Sequence, residues 1–262
     1  MNPKRYIFTS VFALAALLTA GHALAGTPVA TSVVVQTRVF DDCGTSTVNV
    51  VDNDFAGIII DDIFPAGCGG LNRHAWHLSA DNASPIAWEN GDQFSFCATI
   101  RATGTANGEI GLRLSPWWSP NVDGVFMLNT ASGEIAIFGG RLPFYSFTNP
   151  PHSQTYVKGT TVTLSMDYKP NGLSAANPAT VEYRLTNLNG TFSSGPRPFD
   201  EGNPAEGHGS WGALTPSRAG GYIQSPTSIP GNFRGEWTNI CFDSTPTPTA
   251  PSTWGRIKAD YR

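Results

Sequence analysis

Three sets of side chains in this sequence have the types and spacing that chemistry requires. Glu109, Glu134 and Glu182 each sit in or beside a short stretch of alternating polar and apolar residues. Glycosidic hydrolysis needs two carboxyls about 5–10 Å apart, one of them protonated, and carboxylates on neighbouring strands meet that need if they share a face. Arg113 and Arg184 have the same outward phase, with Asp167 beside them, and would donate hydrogen bonds to hydroxyls. The competing reading is that such residues are the wet face of an antiparallel sheet. A second set is aromatic. Trp117 and Trp118 stand together in a proline-bounded segment, and Tyr145, Trp211 and Tyr222 lie in or near other expected loops. Indole and phenol faces stack on the C–H faces of sugar rings. Consecutive tryptophans on an extended chain cannot both enter one core, although large aromatics also serve to cover sheet edges.

The third set is Asp200, Glu201, Asn203 and Glu206, an oxygen-rich loop opened by glycine. Calcium is the cation such a loop would take, but the spacing is not that of an EF-hand and acidic turns are common, so no cofactor is assigned. His74 and His77 are three apart, which on a strand points them to opposite faces and excludes shared ligation. No Gly-x-Ser-x-Gly elbow occurs. Without a recognised catalytic motif, an enzyme is the less favoured reading.

The elements that must position these residues are strands. Period-two alternation marks segments 32–40, 47–51, 58–60, 74–79, 93–101, 109–115, 123–129, 134–138, 142–147, 160–168, 180–188, 191–194 and 236–242. No stretch keeps helical periodicity over three turns. The composition agrees: 28 glycines and 20 prolines supply turns, and few residues are charged. These features predict an all-β fold, a two-sheet antiparallel β-sandwich with long loops, the longest over 196–232.

Residues 1–25 have the form of a signal peptide, with Lys4 and Arg5 before an apolar run and Ala23-Leu24-Ala25 as the cleavage site. The sandwich domain then spans 26–243, followed by a Pro/Thr-rich linker at 244–253 and a tail at 254–262. Loss of Lys4 and Arg5 would leave 14 basic residues against 20 acidic ones, which argues against nucleic acid as a partner. No later segment is long and apolar enough to predict a transmembrane span in the mature chain. Four cysteines in an exported chain imply disulfides, and three pairings exist. Cys43–Cys68 and Cys97–Cys241 are favoured. The first pair lies in glycine-flanked loops close in sequence, and the second sits on matching faces of an early and a late strand.

The strand order, with the first and last strands expected to pair, resembles the concanavalin-A-like lectin/glucanase superfamily, including its laminin-G-like jelly rolls. Glu109 to Leu114, then 123–129 and 134–138, look like the central strands of that fold, and 160–168 and 180–188 like those that follow. The resemblance implies a jelly roll and a carbohydrate or cell-surface glycan as partner. It does not transfer an active site. The Glu-x-Asp-x-(x)-Glu strand of laminarinase-type enzymes is absent, as is the Gln-x-His strand of alginate lyases, and Tyr156-Val-Lys158 only echoes the latter's Tyr-Phe-Lys. The expected function is a secreted or cell-surface-attached, lectin-like glycan-binding module. Arg113, Trp117, Trp118, Glu134, Tyr145 and Arg184 would form its ligand site. Two alternatives stand beside it: a polysaccharide hydrolase or lyase using Glu109, Glu134 or Glu182, and a structural or adhesion protein without a small ligand.

Overall fold

Isoleucine, valine, phenylalanine and threonine at alternate positions favour extended chain over helix, and strands such as Phe94–Thr103 and Thr161–Lys169 bury one row of side chains. The computed structural model describes residues 27–116, 124–201, 211–212 and 217–244. Fourteen strands form two antiparallel sheets of seven among the described residues. The front sheet runs β1 (Ser32–Asp41), β4 (Leu71–Ser79), β13 (Ser217–Pro226), β6 (Glu109–Pro116), β7 (Gly124–Asn129), β8 (Ile135–Phe138) and β9 (Tyr145–Ser146). The back sheet runs β12 (Gly190–Pro198), β11 (Thr180–Asn187), β10 (Thr161–Lys169), β5 (Phe94–Thr103), β14 (Gly231–Asp243), β3 (Gly57–Phe64) and β2 (Thr47–Asp52). The expected all-β sandwich of two antiparallel sheets is thus what the chain forms.

The core lies between the sheets. Trp76, Leu78, Ile110, Leu112, Phe126 and Ile137 face it from the front, and Ile58, Phe96, Ile100, Leu164, Tyr183 and Trp237 from the back. Both expected disulfides are present, with Cα separations of 5.2 Å for Cys43–Cys68 and 5.0 Å for Cys97–Cys241. Cys97 and Cys241 are direct cross-strand partners of β5 and β14. Trp88 closes one end of the sandwich. Its ring stacks 4.6 Å from Phe94 and lies 5.1 Å from Phe242, and its backbone bridges to Ser217. The start of β1 and the finish of β14 both lie at this end, beside Ser79 and Ser95.

A second link between the sheets is polar. Asp62 on β3 and His74 on β4 are both buried, with Oδ2 and Nε2 3.3 Å apart. The Arg38 amide donates to His74 Nδ1 at 2.9 Å, so the ring proton sits on Nε2, toward the carboxylate. Asn72 donates to Asp62 Oδ2 at 2.9 Å and to Ser46 Oγ at 3.0 Å. Burial pushes the Asp62 carboxyl up, yet hydrogen bonds from His74, Asn72 and Ser46 outweigh it, and the net shift is below the ordinary carboxylate value.

Two expectations are corrected. The first and last strands do not pair: β1 edges the front sheet beside β4, and β14 lies inside the back sheet between β3 and β5. The long loop over 196–232 also contains a strand, β13, which lies between β4 and β6 in the front sheet. Gly220-Gly221 and the terminal Pro226 weaken its strand signal. The structure shows why glycine stands there. A Cβ on Gly221 would fall 2.3 Å from Trp76 Nε1 and 2.8 Å from Trp237 Nε1, where the two indoles meet edge to face with centroids 6.3 Å apart. Gly221→Ala is therefore expected to cost about 1–3 kcal/mol of stability through overpacking. Urea unfolding measures it, and wild-type stability would show that the indoles move aside freely. Segment 1–25, the linker beyond Ser244 and the tail 254–262 lie outside the described residues.

Candidate functional site

Because Ile110, Leu112 and Leu114 point into the core, Glu109, Gly111 and Arg113 point to the outer face of the front sheet. The same parity puts Arg73, Ala75 and His77 of β4 on that face, with Gly220, Tyr222 and Gln224 of β13 and Val125 and Met127 of β7. An antiparallel sandwich ordinarily leaves such a face to water. Here it is occupied: Val125, Met127, Ala136 and Tyr222 form a buried cluster apart from the main core, and His77 and Arg113 are each 1% exposed.

Register fixes who neighbours whom. His77 and Arg113 both pair with Gly220, from opposite sides. A Cβ on Gly220 would lie 1.9 Å from the Trp76 carbonyl oxygen, so the close approach of the β4 backbone admits only glycine there. In the next row Tyr222 lies between Ala75 and Gly111, two small residues that leave the phenol ring room. Tyr222 is a diagonal neighbour of His77, about 7–8 Å away between Cα atoms. The Arg73 guanidinium rests 4.5 Å from the centre of the Tyr222 ring. In the third row Arg73 donates to Gln224 Oε1 at 3.4 Å, and Gln224 Nε2 reaches Glu109 Oε2 at 3.5 Å.

The electrostatics vary along the face. Burial, then the charges of Arg113 and Arg218, hold the His77 pKa well below the imidazole range, so the ring is neutral at pH 7. Gln36 Oε1 lies 3.2 Å from His77 Nε2, which puts the ring proton there. Nδ1 makes no hydrogen bond among the described residues and keeps a free lone pair. Burial raises the Glu109 carboxyl, Arg73 opposes the shift and Glu134 adds to it.

The expected site residues fall in three places. Glu109 and Arg113 share the outer front face, with the exposed Glu134 close enough to Glu109 to repel it. Glu182 and Arg184 do not join them, which corrects the single shared face. Both belong to β11 of the back sheet, where they pair with each other at 2.7 Å and Ser193 donates to Glu182 at 2.6 Å. The intervening sandwich core, about 10 Å thick, rules out joint work with Glu109. Asp167 likewise lies on β10 of the back sheet. Tyr145 is a cross-strand partner of core-facing Ile137; Phe147 packs 5.0 Å from its ring and the Arg197 guanidinium covers it at 4.5 Å, so it too leaves the expected ligand set. Trp117 and Trp118 lie outside the described residues. So do Asn203 and Glu206, while the exposed Asp200 carboxylate pairs with Arg141 at 2.9 Å and Glu201 is exposed. Among the described residues no cluster of three or more His, Cys, Asp or Glu side chains could hold a metal ion.

Sequence reasoning misses Arg73, Gln36 and Gln224, reads His77 only as a possible metal ligand beside His74, and names Tyr222 among the aromatics but in or near a loop instead of on a strand. The usable signal was the alternation Arg73-x-Ala75-x-His77, whose outward row is less polar than a wet face requires.

No family model matches the chain, and no curated protein matches it. Several solved structures share its outline. Lectin II from Ulex europaeus is 8% identical, with 84% of this chain and 96% of that chain covered and a TM-score of 0.42. The Lotus tetragonolobus seed lectin is 12% identical, with 86% and 97% covered and a TM-score of 0.44. An alginate lyase from Corynebacterium sp. is 8% identical, with 72% and 78% covered and a TM-score of 0.43. Overlap and identity this low carry no weight for function or for any residue of the face. No helix among the described residues is long and apolar enough to cross a membrane.

Proposed function

We propose that the chain is an extracytoplasmic carbohydrate-binding module whose outer front face takes an acidic polysaccharide. The observation that supports this reading is the exposed Arg218 in the outward row of β13, next along that row from Gly220, with the charge of Arg113 buried beside it on β6. The exposed Arg218 guanidinium matches the carboxylates of a uronate chain, to which arginine can bind through two parallel hydrogen bonds. The two disulfides fit an oxidising compartment, in keeping with export through segment 1–25.

Affinity electrophoresis through gels containing a polyuronate or a neutral glucan tests the reading. Wild type should be retarded by the polyuronate, and Arg218→Met and Arg218→Glu should each weaken retention about tenfold or more. Equal retention of wild type and both variants, with unfolding midpoints unchanged, would sink it.

A further inference from the structure

The outer front face has a direction. Arg113 and Arg218 bear on His77 in one part of it. Two rows further along the strands, the succession from Arg73 through Gln224 ends at the half-buried Glu109. Beyond that point the face opens into a cleft of about 140 Å³ lined by Glu109, Gln224, Asn107, Asn129 and Leu71. A second cleft of about 270 Å³ shares Asn107 and Pro226 with the first and continues over Thr105, Ser228 and the exposed Ile229. A trough therefore leaves the cationic face and crosses the end of the sandwich opposite Trp88.

The cleft is chemically unlike the face it adjoins. Glu109 is its charged lining group, and the exposed Glu134 stands near enough to repel the Glu109 carboxylate. Lys158 borders the cleft behind Asn107, its ammonium engaged in donating to the Ala106 carbonyl and to Asn107 Oδ1 at 3.0 Å each. Asn129 Oδ1 is taken by the amides of Ala131 and Ser132, which fixes the β7–β8 turn as one wall. What remains for a ligand is a carboxylate acceptor and amide groups, suited to hydroxyls and unsuited to a second carboxylate.

We propose that this cleft is a subsite for an uncharged, hydroxyl-bearing sugar residue, and that Glu109 excludes a uronate from it. The proposal rests on the glycan reading of the front face and adds a charge order to it: acidic sugar at the exposed Arg218, neutral sugar at Glu109. The protein would then prefer chains in which uronates and neutral sugars alternate over chains made of uronate alone.

Calorimetric titration of the full chain with three hexasaccharides tests this, one all-uronate, one neutral and one alternating. Wild type should bind the alternating chain most tightly. Glu109→Gln should raise affinity for the all-uronate chain about tenfold while changing the alternating chain about twofold or less. Glu134→Gln, at an exposed position where folding is not at stake, should move all-uronate affinity in the same direction by a smaller factor. All-uronate affinity unchanged or lowered in both variants, with Arg218→Met still weakening the alternating chain, overturns the subsite and leaves the glycan face standing. Wild type binding none of the three overturns both.

Discussion

Replacing Cys97 and Cys241 together by serine is expected to lower stability by about 5 kcal/mol in the chain-entropy limit, and by less if the unfolded chain keeps residual structure. The bridge spans 144 residues, so its loss frees most of the sandwich in the unfolded ensemble. It also fastens β5 to β14, two inner strands of the back sheet that otherwise meet through a register shift between Thr238 and Cys241. Cys43–Cys68 closes only 25 residues, and by the same reasoning is worth about 3.5 kcal/mol. For a domain of this size each kcal/mol moves the thermal midpoint by about 2–4 °C, so the first pair should cost on the order of 10 °C or more and the second less. Circular dichroism melts of the two double variants decide it. A smaller loss for Cys97/Cys241 than for Cys43/Cys68 would refute the ranking by loop length.

Asp62→Ala should cost about 1–3 kcal/mol for each buried N–H it strands, one on His74 and one on Asn72, which keeps its other bond to Ser46. The effect has a pH signature. The folded-state pKa of Asp62 is depressed, so its contribution is complete above the unfolded carboxylate value and fades as pH falls through the folded one. The stability gap between wild type and Asp62→Asn should therefore be largest near neutrality and shrink below about pH 4. Denaturant titrations at a series of pH values measure this gap. A gap that stays constant into the acid range would show that the carboxylate does not carry the link between the sheets.

The sandwich was legible because burial on one face imposes period two. Phe94-x-Phe96-x-Ala98-x-Ile100 and Ile110-x-Leu112-x-Leu114 announce both the strand and its inward row. That same alternation places Cys97 and Cys241 on matching faces of their strands. β13 was hidden because its two central glycines exist to make room for neighbours, Trp76 and Trp237 on one side and the β4 backbone on the other, and such crowding is invisible in one dimension. The candidate site suffered for the same reason. Which outward residues share a face depends on sheet membership, and alternation cannot tell Arg113 on the front sheet from Arg184 on the back. With β13 read as loop, Tyr222 lost its place between β4 and β6, and the face lost its centre.

The start of β1 at Ser32 and the finish of β14 at Asp243 both sit at the Trp88 end, whereas the trough beside Glu109 opens at the far end. A load joined at either of those strand ends lies across the sandwich from the trough and leaves that opening clear, like a cup on a stem. Immobilisation through either side should consequently present the trough to a passing polymer instead of burying it against the support.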